Sequence, residues 1–151
     1  MTEKTEPFVV YFSSVTENTK IFVESLGIES ARIPLRTTDE PLSVEKPYIL
    51  FVPTYGAGKG EAAVPPQVRK FLSDPSHRHF CVGIVGGGNL NFGDKYAAAA
   101  DVLSAKIGAP VLTRFELRGT SDDRKKIADS IRSHWDYLVR LSGALDPLKQ
   151  P

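Results

Sequence analysis

Runs of consecutive apolar residues alternate along the chain with segments in which apolar residues recur every three or four positions. The runs are rich in β-branched and aromatic residues, as is typical of strands buried on both faces of a sheet. They predict strands over residues 8–13, 48–54, 80–85 and 111–117. The segment 31–35 contains Pro34 and therefore predicts an edge strand, where a missing N–H group is tolerated.

The periodic segments predict four helices, over residues 16–26, 64–72, 92–107 and 120–141. The predicted apolar stripe of the first helix consists of Ile21, Phe22 and Leu26, and Gly27 is predicted to end it. The predicted stripe of the last helix consists of Ile127, Ile131, Trp135, Leu138 and Leu141.

This alternation of strands and helices predicts an α/β fold, a doubly wound parallel sheet with helices on both faces. Five strands in 151 residues favour the flavodoxin-like strand order 2-1-3-4-5. We expect one domain over residues 1–151, with flexible segments at 1–6 and 146–151. In such sheets the ligand binds beyond the carboxyl ends of the strands, at the switch point beside the first strand.

Short polar residues lie between the first predicted strand and the first predicted helix. The cluster comprises Ser13, Ser14, Thr16, Asn18 and Thr19, with Val15 and Glu17 among them. Helix-end N–H groups and such side chains can bind a phosphate dianion, and the cluster contains no basic residue. It therefore predicts a phosphate site without cations, with flavin mononucleotide (FMN) as the leading candidate, although a single hydroxyl here would indicate only helix capping. A carboxylate repels a dianion, so Glu17 is predicted to point to solvent.

A glycine-rich loop follows the third predicted strand, at the same edge of the sheet. It begins with Thr54, Tyr55, Gly56, Ala57 and Gly58. Glycines let the backbone approach a flat ligand, and Tyr55 is placed to stack on an aromatic ring. The alternative is a flexible turn that carries a surface tyrosine.

A second glycine-rich loop covers residues 86–93 and follows the fourth predicted strand. Its candidate ligand contacts are Gly88, Asn89, Asn91, Phe92 and Gly93. Backbone groups and the two amide side chains are suited to the edge of a heterocycle. The alternative is a plain connection from strand to helix.

Composition narrows the class of protein. A formal net charge of +1 predicts no bulk attraction to nucleic acid or to an anionic membrane. The polar N-terminus lacks the apolar segment of a signal peptide, and no apolar run is long enough to span a membrane. The single Cys81 excludes an internal disulfide, so we expect a reducing, cytoplasmic location. Cys81 lies within an apolar strand and is predicted to be a buried structural thiol.

Several other kinds of site fail on specific residues. A nucleotide P-loop needs Ser or Thr after the Gly-Lys pair, where Gly60 stands, and a Cys-x5-Arg phosphatase needs Arg at Gly87. The acidic residues of a receiver domain, the Gly-x-Ser-x-Gly elbow of a hydrolase and a metal-ligand set are also missing from the sequence. His77 and His79 are predicted to lie on a solvated turn before the fourth strand.

A series of motifs resembles the NrdI family, the small flavodoxin-like proteins associated with class Ib ribonucleotide reductase. The chain has Val-Tyr-Phe-Ser-Ser at 10–14, Glu-Asn-Thr at 17–19 and Arg-Ile-Pro-Leu at 32–35. Further matching stretches lie at 47–56, 64–68, 88–93 and 114–120. Each motif alone is weak, but their order along most of the chain is specific.

The resemblance implies one noncovalent FMN, with the five polar residues of 13–19 on its phosphate, Tyr55 and its glycines beside the ring, and 89–93 at its edge. Ala57, Lys59 and Glu61 interrupt the continuous glycine run of other members, which puts the peptide flips that tune the flavin potential in doubt. FMN would carry the redox chemistry, and no side chain is proposed as a catalytic acid or base.

The resemblance also implies a role in supporting class Ib ribonucleotide reductase. Reduced FMN would react with molecular oxygen to supply superoxide or peroxide for the dimanganese-tyrosyl radical cofactor of the small subunit. The implied partners are that subunit, an unidentified flavin reductase and oxygen. Two alternatives stay open: a general electron-transfer flavodoxin, and a flavin-free module that binds a nucleotide or sugar phosphate.

Overall fold

The computed structural model describes residues 5–13, 17–36, 38–53, 64–88, 98–116 and 121–144. The strands in these ranges are β1 (Phe8–Tyr11), β2 (Glu29–Arg32), β3 (Tyr48–Pro53), β4 (Cys81–Gly88) and β5 (Val111–Glu116). The helices are α1 (Asn18–Glu24), α2 (Pro66–Phe71), α3 (Pro75–Phe80), α4 (Ala98–Ile107) and α5 (Ser121–Ser142).

The strands form one parallel sheet in the order β2-β1-β3-β4-β5, which confirms the predicted fold class. β1 and β3 are buried along their whole length, whereas β2 at the edge is partly exposed. Burial on both faces explains why these central strands read as unbroken apolar runs. The edge strand was correctly predicted, but it begins two residues earlier than expected and contains no proline.

Helices cover both faces of the sheet. Phe22 of α1 packs against Phe51 of β3 with ring centroids 6.3 Å apart, and Arg124 of α5 lies 5.9 Å from the Phe22 ring. α1 and α5 therefore share one face. α2 and α3 belong to the crossover from β3 to β4, which runs in the opposite direction along the sheet from the crossover that contains α1. Because both crossovers are right-handed, these helices lie on the other face.

The predicted apolar stripes are wrong at two residues, which are exposed. Ile21 is 54% exposed and Leu141 is 62% exposed. At about 100° per residue, Ile21 lies roughly 140° around the helix from Leu26, and Leu141 lies roughly 120° from Trp135. Val23 and Val139 are buried in their place, while Trp135 is 2% exposed and is confirmed as core.

The residues before β4 form helix α3, so the prediction of a solvated turn there is wrong. Its first turn contains Pro75, and Asp74 accepts a hydrogen bond from the Ser76 N–H group at 2.9 Å, which is an ordinary helix start. His77 is buried, because its ring packs flat on Phe71 with centroids 3.9 Å apart. His79 is half-buried, and its Nε2 lies 2.8 Å from the Ala144 carbonyl oxygen.

Two glycines have a clear structural reason. Gly27 has a φ of +68°, a conformation that side chains rarely adopt, and it lies in the turn after α1, which ends at Glu24 and not at Leu26 as predicted. Gly83 lies in β4, where an added Cβ would stand 2.6 Å from Cδ1 of Leu112. The close approach of β5 to β4 at this point therefore needs a residue without a side chain.

Candidate functional site

The predicted site lies where three neighbouring strands end. Tyr11 of β1 is paired with Phe51 of β3, and Pro53 of β3 is paired with Gly87 of β4. The residues that follow these strands therefore start from one edge of the sheet. β2 lies on the other side of β1, so the chain direction along the sheet switches between β1 and β3, where doubly wound sheets bind ligands.

Ser13 and Thr19 are two polar residues that the structure buries at this edge. Ser13 Oγ accepts a hydrogen bond from the Lys20 backbone N–H group at 3.0 Å, so it serves the first turn of α1 as a cap would. A hydroxyl that accepts one bond still has its own proton to donate. Uncharged hydroxyl donors beside a helix start are suited to a phosphate group, and phosphate binding by Ser13 and Thr19 stays a prediction.

The remaining predicted phosphate ligands are described only in part. Asn18 is the first residue of α1. Ser14, Val15 and Thr16 lie outside the described residues. Their contribution to phosphate binding therefore stays a prediction.

The Glu17 side chain is 37% exposed, as predicted, but its carboxylate is also paired with Arg32. Arg32 Nη2 donates to its Oε1 at 2.9 Å, and Nη1 donates to its Oε2 at 3.1 Å. Glu17 precedes α1 with φ of 64° in the left-handed region, and it is the one non-glycine residue with positive φ in the described part of the chain. A two-bonded guanidinium fixes the carboxylate in direction as well as in distance.

Arg32 also brings a cation to the edge that was predicted to lack one. It is the last residue of β2, and its Nη2 donates to the Ser13 carbonyl oxygen at 3.1 Å. The parallel pairing of Tyr11 with Arg32 sets this position, because it places the ends of β1 and β2 side by side. One side chain thus contacts both Ser13 and Glu17.

The ion pair changes the electrostatics of the edge. The hydrogen bond from Arg32 lowers the pKa of Glu17 below its ordinary value, so the carboxylate stays ionised at neutral pH. Burial raises the pKa of Tyr11 in β1, and the nearby Arg32 opposes that shift. Both groups keep their ordinary charge at neutral pH.

The two glycine loops are mostly outside the described residues. Thr54, Tyr55, Gly56, Ala57 and Gly58 lie there, and so do Asn89, Asn91, Phe92 and Gly93. Gly88 is described as the last residue of β4, where it is paired with Glu116 of β5. Gly86 and Gly87 also belong to β4 and are paired with strands on both sides, so the loop begins later than the sequence suggested.

Several cavities lie elsewhere in the described part of the molecule. One of about 310 Å³ lies between the segment after β2 and helices α2 and α3, where Arg36, Gln67 and His77 line it. Another of about 450 Å³ lies between β5 and α5, with a mostly apolar lining. Neither includes Ser13 or Thr19, so neither is the predicted phosphate site.

The described residues contain no group of three or more histidine, cysteine or acidic side chains arranged to hold a metal ion. Within the same ranges, no helix has the length and apolar character needed to cross a membrane.

Comparison with known proteins decides the family. The family described as "NrdI Flavodoxin like" matches residues 10–129. This chain belongs to that family. Protein NrdI of Bifidobacterium animalis subsp. lactis is 47% identical over 129 residues, which cover 82% of this chain and 92% of the relative. Protein NrdI of Beutenbergia cavernae is 48% identical over 127 residues, covering 84% of this chain and 92% of the relative. The resemblance of the sequence to NrdI is therefore confirmed.

Solved structures support the fold. The flavodoxin of Fusobacterium nucleatum, in a crystal structure bound to flavin mononucleotide, has a TM-score of 0.57 at 12% identity, covering 88% of this chain and 98% of that one. A short-chain flavodoxin associated with a non-canonical PDU bacterial microcompartment has a TM-score of 0.54 at 16% identity, covering 90% and 97%. At these identities the likeness shows that NrdI and flavodoxins share an architecture.

Sequence reasoning missed the contact between Glu17 and Arg32. Both residues stood in motifs that marked the NrdI family, but nothing in either motif showed that they meet. A signal was present in the predicted strand order. Parallel neighbours end at the same edge, but the predicted bounds of 31–35 placed Arg32 near the start of its strand, and only the observed end of β2 at Arg32 brings it close to Glu17.

Proposed function

We propose that this chain binds FMN without a covalent bond and supports class Ib ribonucleotide reductase. One observation carries the proposal: the family match at residues 10–129, supported by relatives named Protein NrdI at 47–48% identity. The sheet order is consistent with it, and so are the buried residues Ser13, which follows β1, and Thr19, which lies in the first turn of α1.

The residues at the edge of the sheet fit the cofactor. Ser13 and Thr19 would hold the phosphate with neutral donors, together with Ser14, Thr16 and Asn18. Residues 54–58 and 88–93 would lie beside the ring, because they follow β3 and β4 at the same edge. When bound, FMN would supply the redox chemistry, passing electrons to molecular oxygen to give superoxide or peroxide.

The product of that reaction would serve a partner. In this proposal the oxidant reaches the dimanganese small subunit of class Ib ribonucleotide reductase and drives formation of its tyrosyl radical. A separate flavin reductase, not identified by this sequence, would reduce the flavin again. The chain itself would bind, orient and expose the cofactor, with no acid or base of its own.

The test is an anaerobic reduction of the FMN-loaded protein, followed by mixing with air while its visible spectrum is recorded. We expect rapid return of the oxidised flavin spectrum, with superoxide or peroxide released. Adding the manganese-loaded small subunit should then produce a tyrosyl radical signal in electron paramagnetic resonance, whereas free FMN at equal concentration should produce less.

Two outcomes would contradict the proposal. Slow reoxidation, with no radical formed in the subunit, would indicate a general electron-transfer flavodoxin. A purified chain that takes up no flavin but binds a nucleotide or sugar phosphate would indicate a flavin-free phosphate module.

A further inference from the structure

Glu17 poses an electrostatic problem for a phosphate site. It directly precedes α1 and lies four residues from Ser13, whose hydroxyl accepts a bond from the third residue of that helix. A carboxylate near a bound dianion raises the free energy of binding, and the effect increases where water is excluded. An ionised residue at this position is therefore unfavourable unless its charge is balanced.

Arg32 provides that balance. It donates to both oxygens of Glu17, at 2.9 and 3.1 Å, so its positive charge lies directly against the carboxylate. Among the described residues, the other cation near Glu17 is Lys20, whose Nζ lies 4.0 Å away and is also 3.9 Å from Glu24. The longer distance and the shared partner make Lys20 the weaker counter-charge.

The position of Arg32 is set by the sheet. It is paired with Tyr11 of β1, and it donates to the carbonyl oxygen of Ser13 at 3.1 Å. Its side chain is 28% exposed, while that of Glu17 is 37% exposed. Both charged groups are therefore partly accessible from solvent at this edge of the sheet.

We propose that Arg32 is a positioning residue whose charge neutralises Glu17, so that the site binds the phosphate of FMN and prefers FMN to riboflavin. This role rests on the proposed function. It separates two parts of the cofactor, because riboflavin has the same ring system but lacks the phosphate. The effect of Arg32 should therefore appear with FMN and be absent with riboflavin.

The experiment is a double-mutant cycle with R32Q, E17Q and the double variant. Dissociation constants for FMN and for riboflavin are measured by quenching of flavin fluorescence. R32Q is expected to weaken FMN binding by about tenfold, the factor that corresponds to roughly 1.4 kcal/mol of charge interaction, and to leave riboflavin binding nearly unchanged. E17Q should strengthen FMN binding, because Arg32 is then an uncompensated cation.

The double variant shows whether Arg32 acts by neutralising the charge of Glu17 or by shaping the edge of the sheet. If Arg32 works by neutralising Glu17, removing both charges restores FMN affinity towards that of the parent protein. K46Q is the matched control, since Lys46 pairs with Glu29 at 2.8 Å at the opposite end of β2. It removes the same charge from the protein and should leave the preference for FMN unchanged. Thermal unfolding without flavin checks that every variant folds.

Three results would overturn the role of Arg32 while leaving the proposed function intact. R32Q could lose FMN and riboflavin equally, or it could bind FMN as the parent does. The double variant could also bind FMN no better than R32Q, which would mean that Arg32 shapes the edge without acting through the charge of Glu17. A parent protein that binds neither flavin would instead overturn the proposed function, and this role with it.

Discussion

Cys81 shows how burial controls the chemistry of a single residue. It is the one cysteine of the chain, and it is 4% exposed at the start of β4. Its Sγ donates a weak hydrogen bond to the Gly83 carbonyl oxygen at 3.4 Å. Burial raises the pKa of the thiol to about 12, so the reactive thiolate is scarce at neutral pH. The prediction of a structural thiol is confirmed in its burial.

We predict that the folded protein reacts slowly with a thiol reagent such as dithionitrobenzoate at pH 8. The reagent consumes thiolate, and both the raised pKa and the lack of access reduce the rate. The same chain in urea should react at once, because its thiol then has an ordinary pKa of about 8.5. A fast reaction under native conditions would contradict the burial of Cys81.

At the same scale, the candidate site was predictable only where its chemistry is local. Ser13 and Thr19 were predicted as phosphate ligands because hydroxyl residues between a strand and a helix suit a phosphate group without reference to any other part of the chain. Arg32 was missed because its role depends on a partner 15 positions away. A contact between two separate motifs depends on strand register, which the order of residues does not display directly.

Among the elements, helix α3 joins parts of the structure that are distant in sequence. His77 Nε2 accepts a hydrogen bond from the Val44 N–H group at 3.2 Å, so Nδ1 carries the proton and donates to the Phe71 carbonyl oxygen at 2.6 Å. The Tyr48 hydroxyl donates to the His77 carbonyl oxygen at 2.6 Å. The six residues of α3 thus connect α2, β3 and the segment that leads into β3.

We predict that H77A lowers the free energy of unfolding by about 2–4 kcal/mol, since it opens a cavity and leaves two buried backbone groups without partners. Urea unfolding followed by circular dichroism measures this loss. H134A is the matched control, because His134 is exposed and its Nδ1 lies 2.9 Å from the Ser130 carbonyl oxygen of its own helix. Its effect should stay within about 0.5 kcal/mol. Equal losses in the two variants would contradict the role assigned to His77.

The sequence pattern did not predict helix α3, for a physical reason. Residues 75–80 contain two histidines, an arginine and a proline, with no apolar periodicity to reveal a buried face. The buried residue of the helix, His77, is polar and finds its partners in other elements, and such partners are invisible in a pattern of apolar and polar positions. Short helices stabilised by tertiary contacts are therefore the elements most easily lost in sequence analysis.

For the whole molecule, the strand order was predictable because it follows from general rules. Right-handed crossovers, five apolar runs and the length of the chain left few arrangements to choose from. The burial of β1 and β3 on both faces matches their continuous apolar sequences. Details that depend on side-chain packing, such as the exposure of Ile21 and Leu141, did not follow from these rules.

Trp135 connects the last helix with the start of the chain. Its Nε1 donates to the carbonyl oxygen of Thr5 at 3.1 Å and to Thr5 Oγ1 at 3.0 Å. Thr5 lies in the segment that was predicted to be flexible. The buried indole thus anchors a residue that precedes β1.

We predict that W135F lowers the free energy of unfolding by about 1–3 kcal/mol, because it loses the indole N–H group and leaves part of the ring volume empty. Y137F is the control on the same helix, since Tyr137 is 56% exposed. Its effect should lie within about 0.5 kcal/mol. Urea unfolding by circular dichroism measures both, and a W135F protein as stable as Y137F would contradict the anchoring role.

The contact between Thr5 and Trp135 has a consequence for how the protein is made. These residues are 130 positions apart, so the ribosome adds Thr5 to the chain long before it adds Trp135. β1 is synthesised first, yet it occupies the interior of the sheet between β2 and β3. During translation its apolar surface therefore stays exposed until later segments are synthesised. Contacts this distant in sequence form late in folding. A nascent chain stalled before α5 should accordingly bind chaperones and be cut readily by proteases, and release of the last helix should end both.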